Sequence, residues 1–274
     1  MIGKIEISDE KRARIIDKAG HLGDEVGVVL WACCPATFVA ICEAFKSEGI
    51  ELFSPETQEI ITQGMMGLHG GVAMTGVGTC GAVTAATFVI SYVVGVTKED
   101  LAKDGNVNYA PSIPAVQSVI GGFEEDYGAI DCLKVRYNRV QRAYDLTDPD
   151  ARIMEILFSV MENEKCGMGH PSFKCGRDQC PPVRGARYAC DEICDLLNME
   201  PEERKVIPEH LRGIGPQEIG PKVEKVAALM KELGLCRPKS KISYREYRKL
   251  KQEGKQAVID SRICGTCGVP DKDK

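Results

Sequence analysis

The fold is decided by residues 67–96, which read GLHGGVAMTGVGTCGAVTAATFVISYVVGV. Five glycines precede Cys80, and glycine lets the backbone take left-handed turns and approach a bulky group closely. From residue 82 to residue 96 the side chains are almost all apolar, which is typical of a helix at the centre of a bundle. The stretch therefore predicts a tight turn that ends at Cys80, where a buried helix begins.

A second apolar segment, residues 26–42, is predicted in the same way to be a buried core helix. Neither segment reaches the ~18 to 20 apolar residues that a membrane-spanning helix needs. Ser54-Pro55 and Asp148-Pro149 each match an N-cap followed by proline at the first helical position. Alternating strand patterns are scarce, and only short runs such as residues 4–7 suit a strand. We therefore predict a mainly α fold, a helical bundle.

The amino-acid composition of the chain changes near residue 165. Cysteines before this point are spread over predicted helices, whereas those after it lie among prolines and glycines. We predict a helical redox domain over residues 1–165 and a smaller, irregular, Cys-rich C-terminal domain over residues 166–274. Such an irregular segment lacks an apolar core of its own, so a bound metal or cluster would supply the missing constraint.

Thirteen cysteines in 274 residues need a chemical reason. The N-terminal residues show no apolar segment followed by a small-residue cleavage site, so no secretory signal is predicted and we expect a cytoplasmic protein. Thiols stay reduced in the cytosol, and an odd number of cysteines cannot pair completely within one chain. Metal binding or redox turnover is therefore favoured over a disulfide scaffold.

Cys80 is the strongest candidate ligand. At the start of an apolar helix its thiolate is favoured by the positive end of the helix dipole, which makes it a better ligand or nucleophile. Backbone amides of the turn are able to hydrogen-bond cluster sulfides, and Gly78 and Gly81 are the predicted cofactor-binding glycines. The alternative is that the turn is only a helix connection and Cys80 a small buried hydrophobe, which is also our interpretation of Cys42.

The order of cysteines in the first 170 residues resembles the C_GCAxxG_C_C family of redox-active proteins, a domain that also occurs in split-Soret cytochromes. The specific part is Thr79-Cys80-Gly81-Ala82 after the glycine-rich turn. The resemblance implies four recurring cysteines and an iron–sulfur centre of the 2Fe-2S or 4Fe-4S type. The four positions are Cys34, Cys80, Cys132 and Cys166. Two features depart from the pattern: Ala85 replaces the motif's last glycine, and Cys33 competes with Cys34 for the first position.

The C-terminal segment offers a second ligand set. Cys175 and Cys180 lie in a predicted loop, and Cys190 and Cys194 are four residues apart on a predicted helix, where they share a face. Four such thiols suit zinc or an iron–sulfur cluster equally well.

Covalent c-type haem is not expected. Its attachment motif is Cys-x-x-Cys-His, and residues 264–267 form a Cys-x-x-Cys that is followed by Gly268.

Partners are predicted mainly from charge. The formal net charge of −5 argues against a nucleic-acid binder. Residues 237–255 form a basic stretch, which is either a solvated helix face or a docking segment for an acidic redox partner protein. The long apolar helices are consistent with a homodimer.

Two classes of function follow from these patterns. In the first, the protein is an iron–sulfur electron carrier, or the electron-transfer subunit of an anaerobic redox system, with a possible second cluster or zinc ion in the C-terminal domain. In the second, it is a zinc-stabilised interaction or scaffold protein without redox turnover. Thiol catalysis with Cys80 as nucleophile is a third, less favoured idea. No acid–base constellation points to a substrate or to a stand-alone enzyme, and no catalytic residue is predicted.

Overall fold

The computed structural model describes residues 2–30, 32–103, 110–140, 143–145, 148–151, 153–154, 157, 177–207, 221, 224–225 and 228. The chain divides into a compact unit Met1–Leu211 and a second unit Arg212–Lys274. The predicted boundary at residue 165, the predicted metal ligands Cys166 and Cys175, and the basic stretch 237–255 lie outside the described residues. The domain boundary stays a prediction.

The predicted mainly α fold is confirmed. The described residues form helices joined by short turns, and the only β pairing among them is one isolated bridge between Thr79 and Asp131. Residues 4–7 form no strand. The helices are α1 (Asp9–Leu30), α2 (Cys33–Ser47), α3 (Pro55–Met65), α4 (Gly81–Val94), α5 (Lys98–Lys103), α6 (Ile113–Tyr127), α7 (Cys132–Val140) and α8 (Pro181–Asn198).

Residues 26–42 do not form the single core helix that their apolar character predicts. Helix α1 ends at Leu30 and α2 begins at Cys33, so the segment is divided between two helices. Pro35 explains the break, because proline in a helix interior lacks the N–H donor and clashes with the carbonyl of the preceding turn. In the structure Pro35 lies in the first turn of α2, where proline is tolerated.

The two predicted N-caps are confirmed. The hydroxyl of Ser54 accepts a hydrogen bond from the Thr57 N–H (3.3 Å), and the Asp148 carboxylate accepts one from the Ala151 N–H (2.9 Å). Each cap satisfies a backbone donor that the first helical turn leaves without a partner.

The core of the first unit lies between α1, α2, α4 and α8, with α6 packed on α4 and α8. Its large, fully buried side chains come from all of these helices, including Ile15, Phe38, Ile90, Phe123 and Ile193. Helix α8, which the sequence analysis placed in the C-terminal segment, therefore belongs to the same compact unit as the first helices. Helix α8 joins this unit because its apolar residues, spaced three and four apart, form one buried face.

Helix α4 is buried on most sides, as predicted, but not on all. Phe88 and Tyr92 are each about two-fifths exposed, and the ring of Tyr92 stacks on the buried Phe53 at a centroid distance of 4.1 Å. Within the described residues, no helix combines the length and the apolar character needed to cross a membrane.

Candidate thiol redox site

The glycine-rich run folds into a left-handed turn between α3 and α4. Five consecutive residues, 70–74, have positive φ angles, and three of them are not glycine: Val72 (65°), Ala73 (50°) and Met74 (60°). Such residues each cost about 1–3 kcal/mol relative to ordinary backbone and persist only where the surroundings impose them. Backbone hydrogen bonds across the turn impose these φ angles. They include Ala73 N–H to Gly67 O (2.8 Å) and Gly76 N–H to Gly70 O (2.8 Å).

Two positions of the turn have to be glycine, because neighbouring atoms come too close for a side chain to fit. A Cβ on Gly71 would stand 2.9 Å from the Cβ of Cys132, and a Cβ on Gly78 would stand 2.6 Å from the carbonyl oxygen of Gly71. The turn therefore packs backbone directly against Cys132. The cofactor-binding role predicted for Gly78 stays a prediction.

A short antiparallel contact joins the end of the turn to the start of α7. The Cys80 N–H donates to Ile130 O (2.7 Å), and the Cys132 N–H donates to Gly78 O (2.9 Å). These bonds flank the bridge between Thr79 and Asp131. Cys80 and Cys132, far apart in the chain, are thereby held on adjoining backbone segments.

Cys33 and Cys80 form a hydrogen-bonded thiol pair. The Cys80 thiol donates to the Cys33 sulfur and lowers the pKa of Cys33 to about 6; the backbone N–H groups of Gly70 and Gly81 and the charge of His69 lower it further, against burial. The pKa of Cys80 is raised for the complementary reason, with burial adding to the effect. The hydrogen bond thus favours a thiolate at Cys33 and a protonated thiol at Cys80.

Cys34, the residue favoured for the first family position, lies elsewhere. It is fully buried in the core, and burial first, then the charge of Cys33, raises its pKa to about 12. The structure therefore places Cys33, and not Cys34, beside Cys80. A signal for this was present in the sequence: Cys34, Phe38, Ile41 and Phe45 follow the three-and-four spacing of a core stripe, and Cys33 does not. The predicted ligand role of Cys34 is otherwise untested.

Three of the thiols stand at helix N-termini. Cys33 is the first residue of α2, Cys80 is the N-cap of α4, and Cys132 is the first residue of α7. Each position carries backbone N–H groups without helical partners and the positive end of the helix dipole. The turn, the bridge and these helix ends make a site that favours negative sulfur.

The predicted C-terminal ligand group is not brought together among the described residues. Cys180 is the N-cap of α8, whereas Cys190 lies ten residues along the same helix, a rise of about 15 Å. Cys190 and Cys194 are fully buried, and burial raises the pKa of Cys194 to about 12. Their neighbour Cys42 is buried as well, and burial raises its pKa above the usual range, as expected of a thiol that serves packing.

Within the described ranges, no three side chains of His, Cys, Asp or Glu are arranged to hold a single metal ion. What the site does contain is a set of cysteines on a helical scaffold, one of them a stabilised thiolate, which defines a thiol-based site of the kind used in redox chemistry.

The comparison with known families agrees with this class. The model of the C_GCAxxG_C_C family, described as "putative redox-active protein", matches residues 31–177, more than half of the chain. The chain belongs to this family. No curated protein and no solved structure matches it.

Proposed function

We propose that this member of the family is an iron–sulfur protein that transfers electrons, as a carrier or as a subunit of an anaerobic redox system. In this proposal the thiolates of Cys33, Cys80 and Cys132 bind the cluster. The observation that supports it is the convergence of these thiols, each at a helix N-terminus, on the left-handed turn.

The donor set suits a cluster. Cluster thiolates bind different iron atoms, so they need not surround one point as the ligands of a single ion do. The N–H groups of Gly70 and Gly81 face the sulfur of Cys33, and hydrogen bonds to sulfur tune cluster potentials. We assign Gly81 the role of letting the backbone of α4 come close to the Cys33 sulfur. The cluster, when bound, supplies reversible one-electron transfer.

A second candidate function is favoured by one specific observation, the hydrogen bond between the Cys80 thiol and Cys33. A thiolate beside a thiol is the reduced form of a dithiol–disulfide couple. Oxidation by a disulfide-bearing partner would join the two sulfurs and pass two electrons to the partner, whose disulfide becomes one thiol, which takes the Cys80 proton, and one thiolate.

One experiment separates these functions. The full chain is purified without oxygen and incubated with ferrous iron, sulfide and thiol reductant, and iron, acid-labile sulfide, zinc and the visible and EPR spectra are measured. We expect iron and sulfide in equal amounts and a visible band that dithionite bleaches. A colourless protein with stoichiometric zinc contradicts the proposal and supports the scaffold alternative, and a metal-free protein with a reversible Cys33–Cys80 disulfide supports the dithiol function.

The adjacent cysteines give matched variants. Cys33→Ser should abolish or shift the cluster spectrum, whereas Cys34→Ala should keep it, because the Cys34 thiol is fully buried and its pKa is raised. The reverse result would assign the first ligand to Cys34.

A further inference from the structure

Helices α2, α4 and α8 run side by side in the same direction. A Cβ on Gly185 of α8 would stand 3.0 Å from the Cβ of Ala82 and 3.3 Å from Cγ2 of Thr37, so the three helices touch near their first turns. Farther along, Arg204, six residues after the end of α8, donates to the carbonyl of Val93 near the end of α4 (3.4 Å). Cys42 of α2 lies within electrostatic reach of Cys190 of α8, and each is five residues beyond the contact of Thr37 with Gly185. Contacts that advance together along each pair of helices require a parallel arrangement.

This arrangement places three cysteines at one end of the bundle. Cys33 precedes Thr37 by four residues, Cys80 precedes Ala82 by two and Cys180 precedes Gly185 by five. At 1.5 Å per residue these thiols lie about 3–8 Å beyond the common contact, all on its N-terminal side. Neighbouring helix axes are about 8–10 Å apart, so Cys180 stands one helix away from the Cys33–Cys80 pair.

The surroundings of Cys180 connect it to the same site. Arg139, seven residues after Cys132 on α7, donates from Nη2 to the Cys180 sulfur (3.3 Å) and so holds α7 against the start of α8. Tyr127 donates its hydroxyl hydrogen to the carbonyl of Gln179 (2.7 Å). Burial raises the pKa of Tyr127, and among the smaller effects negative charge at both Cys180 and Cys80 raises it further, so this phenol lies within electrostatic reach of both thiols.

We propose that Cys180 is a thiolate ligand of the same redox centre as Cys33, Cys80 and Cys132, and that it is not part of a separate site with Cys190 and Cys194. The inference rests on the proposed function. Ligation releases the Cys180 proton to solvent, and the Arg139 guanidinium and the N-terminus of α8 stabilise the thiolate that remains. Arg139 is then a positioning residue, whose hydrogen bond to a ligand sulfur tunes the potential of the centre.

The test compares cysteine variants of the full chain after anaerobic loading with iron and sulfide. Cys180→Ser should lose or shift the visible and EPR signals and lower the iron content, whereas Cys194→Ala, on the same helix, should match the wild type. A Cys180→Ser protein with wild-type iron content and spectra overturns the inference and leaves the proposed function intact. A wild type that takes up no iron and sulfide overturns both.

Two further readouts do not depend on the folding of Cys180→Ser. In the loaded wild type, peptide mapping after iodoacetamide treatment should find Cys180 protected at least tenfold relative to the metal-free protein; equal labelling overturns the inference. Arg139→Gln keeps the thiol, and it should shift the midpoint potential of the loaded protein without changing its iron content. An unchanged potential contradicts the role of Arg139.

Discussion

The sulfur of Cys33 lies directly against the backbone of Gly81: a Cβ at residue 81 would stand 2.6 Å from it. The same Cβ would be 2.9 Å from the Cβ of Cys34, so the first turns of α2 and α4 meet with no room for a side chain. This contact lets the Gly81 N–H help to stabilise the Cys33 thiolate.

Substituting Gly81 should therefore damage both stability and the thiol pair. Gly81→Ala forces α4 away from α2, and we expect a loss of about 1–3 kcal/mol in the free energy of unfolding, typical of overpacking. The measurement is urea denaturation followed by circular dichroism.

Gly64→Ala is the matched control. Nothing lies within 4 Å of a Cβ at this position in α3, so alanine should raise helix stability by about 0.5–1 kcal/mol. Equal effects of the two substitutions would contradict the close contact at Gly81.

The reactivity of Cys33 should depend on pH in an unusual range. Only the thiolate is alkylated, and the folded pKa of Cys33 is lowered from the ordinary value of ~8.5 to about 6. The iodoacetamide rate at Cys33 in the metal-free protein should therefore rise with pH up to about 6 and level off above it. The rate is measured by mass spectrometry of the Cys33 peptide between pH 5 and pH 9, roughly the interval between lowered and ordinary values.

Urea-unfolded protein provides the control for this pH profile. There the Cys33 rate should keep rising to pH ~8.5, the ordinary range of a cysteine. Because the folded pKa of Cys33 lies below the unfolded one, its contribution to stability should be fully present above pH ~8.5 and should be lost as pH falls from there through about 6. A profile identical in folded and unfolded protein would contradict the thiolate assignment.

Strain in the left-handed turn should be relieved by glycine. Ala73 is exposed, with φ of 50°, and glycine adopts this region at no steric cost. We expect Ala73→Gly to increase the free energy of unfolding by about 1 kcal/mol, measured by urea denaturation. Ala40→Gly, in the middle of α2, should decrease it.

Helix α8 should be essential to the first unit. Ile193 is fully buried, and Ile193→Ala should cost about 2–5 kcal/mol because it leaves a cavity. Val29→Ala, which removes an exposed side chain from α1, should change the unfolding free energy by less than about 0.5 kcal/mol. Thermal unfolding would measure both, and similar melting temperatures would show that α8 does not complete the core.

Periodicity and capping account for most of the fold that the sequence predicts. The caps at Ser54 and Asp148 are local hydrogen bonds between residues three apart, so their residue types suffice to predict them. The break in residues 26–42 was also readable, from Pro35, although apolar content alone suggests one continuous helix.

The amino-acid pattern alone predicts that this protein is helical, that Cys80 begins a buried helix after a glycine-rich turn, and that its cysteines follow a redox family. Which thiols meet depends on how the helices pack. Cys33 replaces Cys34 beside Cys80 because the core stripe of α2 turns Cys34 inward, and Cys180 separates from Cys190 because helix α8 holds them about 15 Å apart. Which side chains converge depends on the register between helices, and that register is set in part by small residues such as Gly185, which carries no chemical signature of a site.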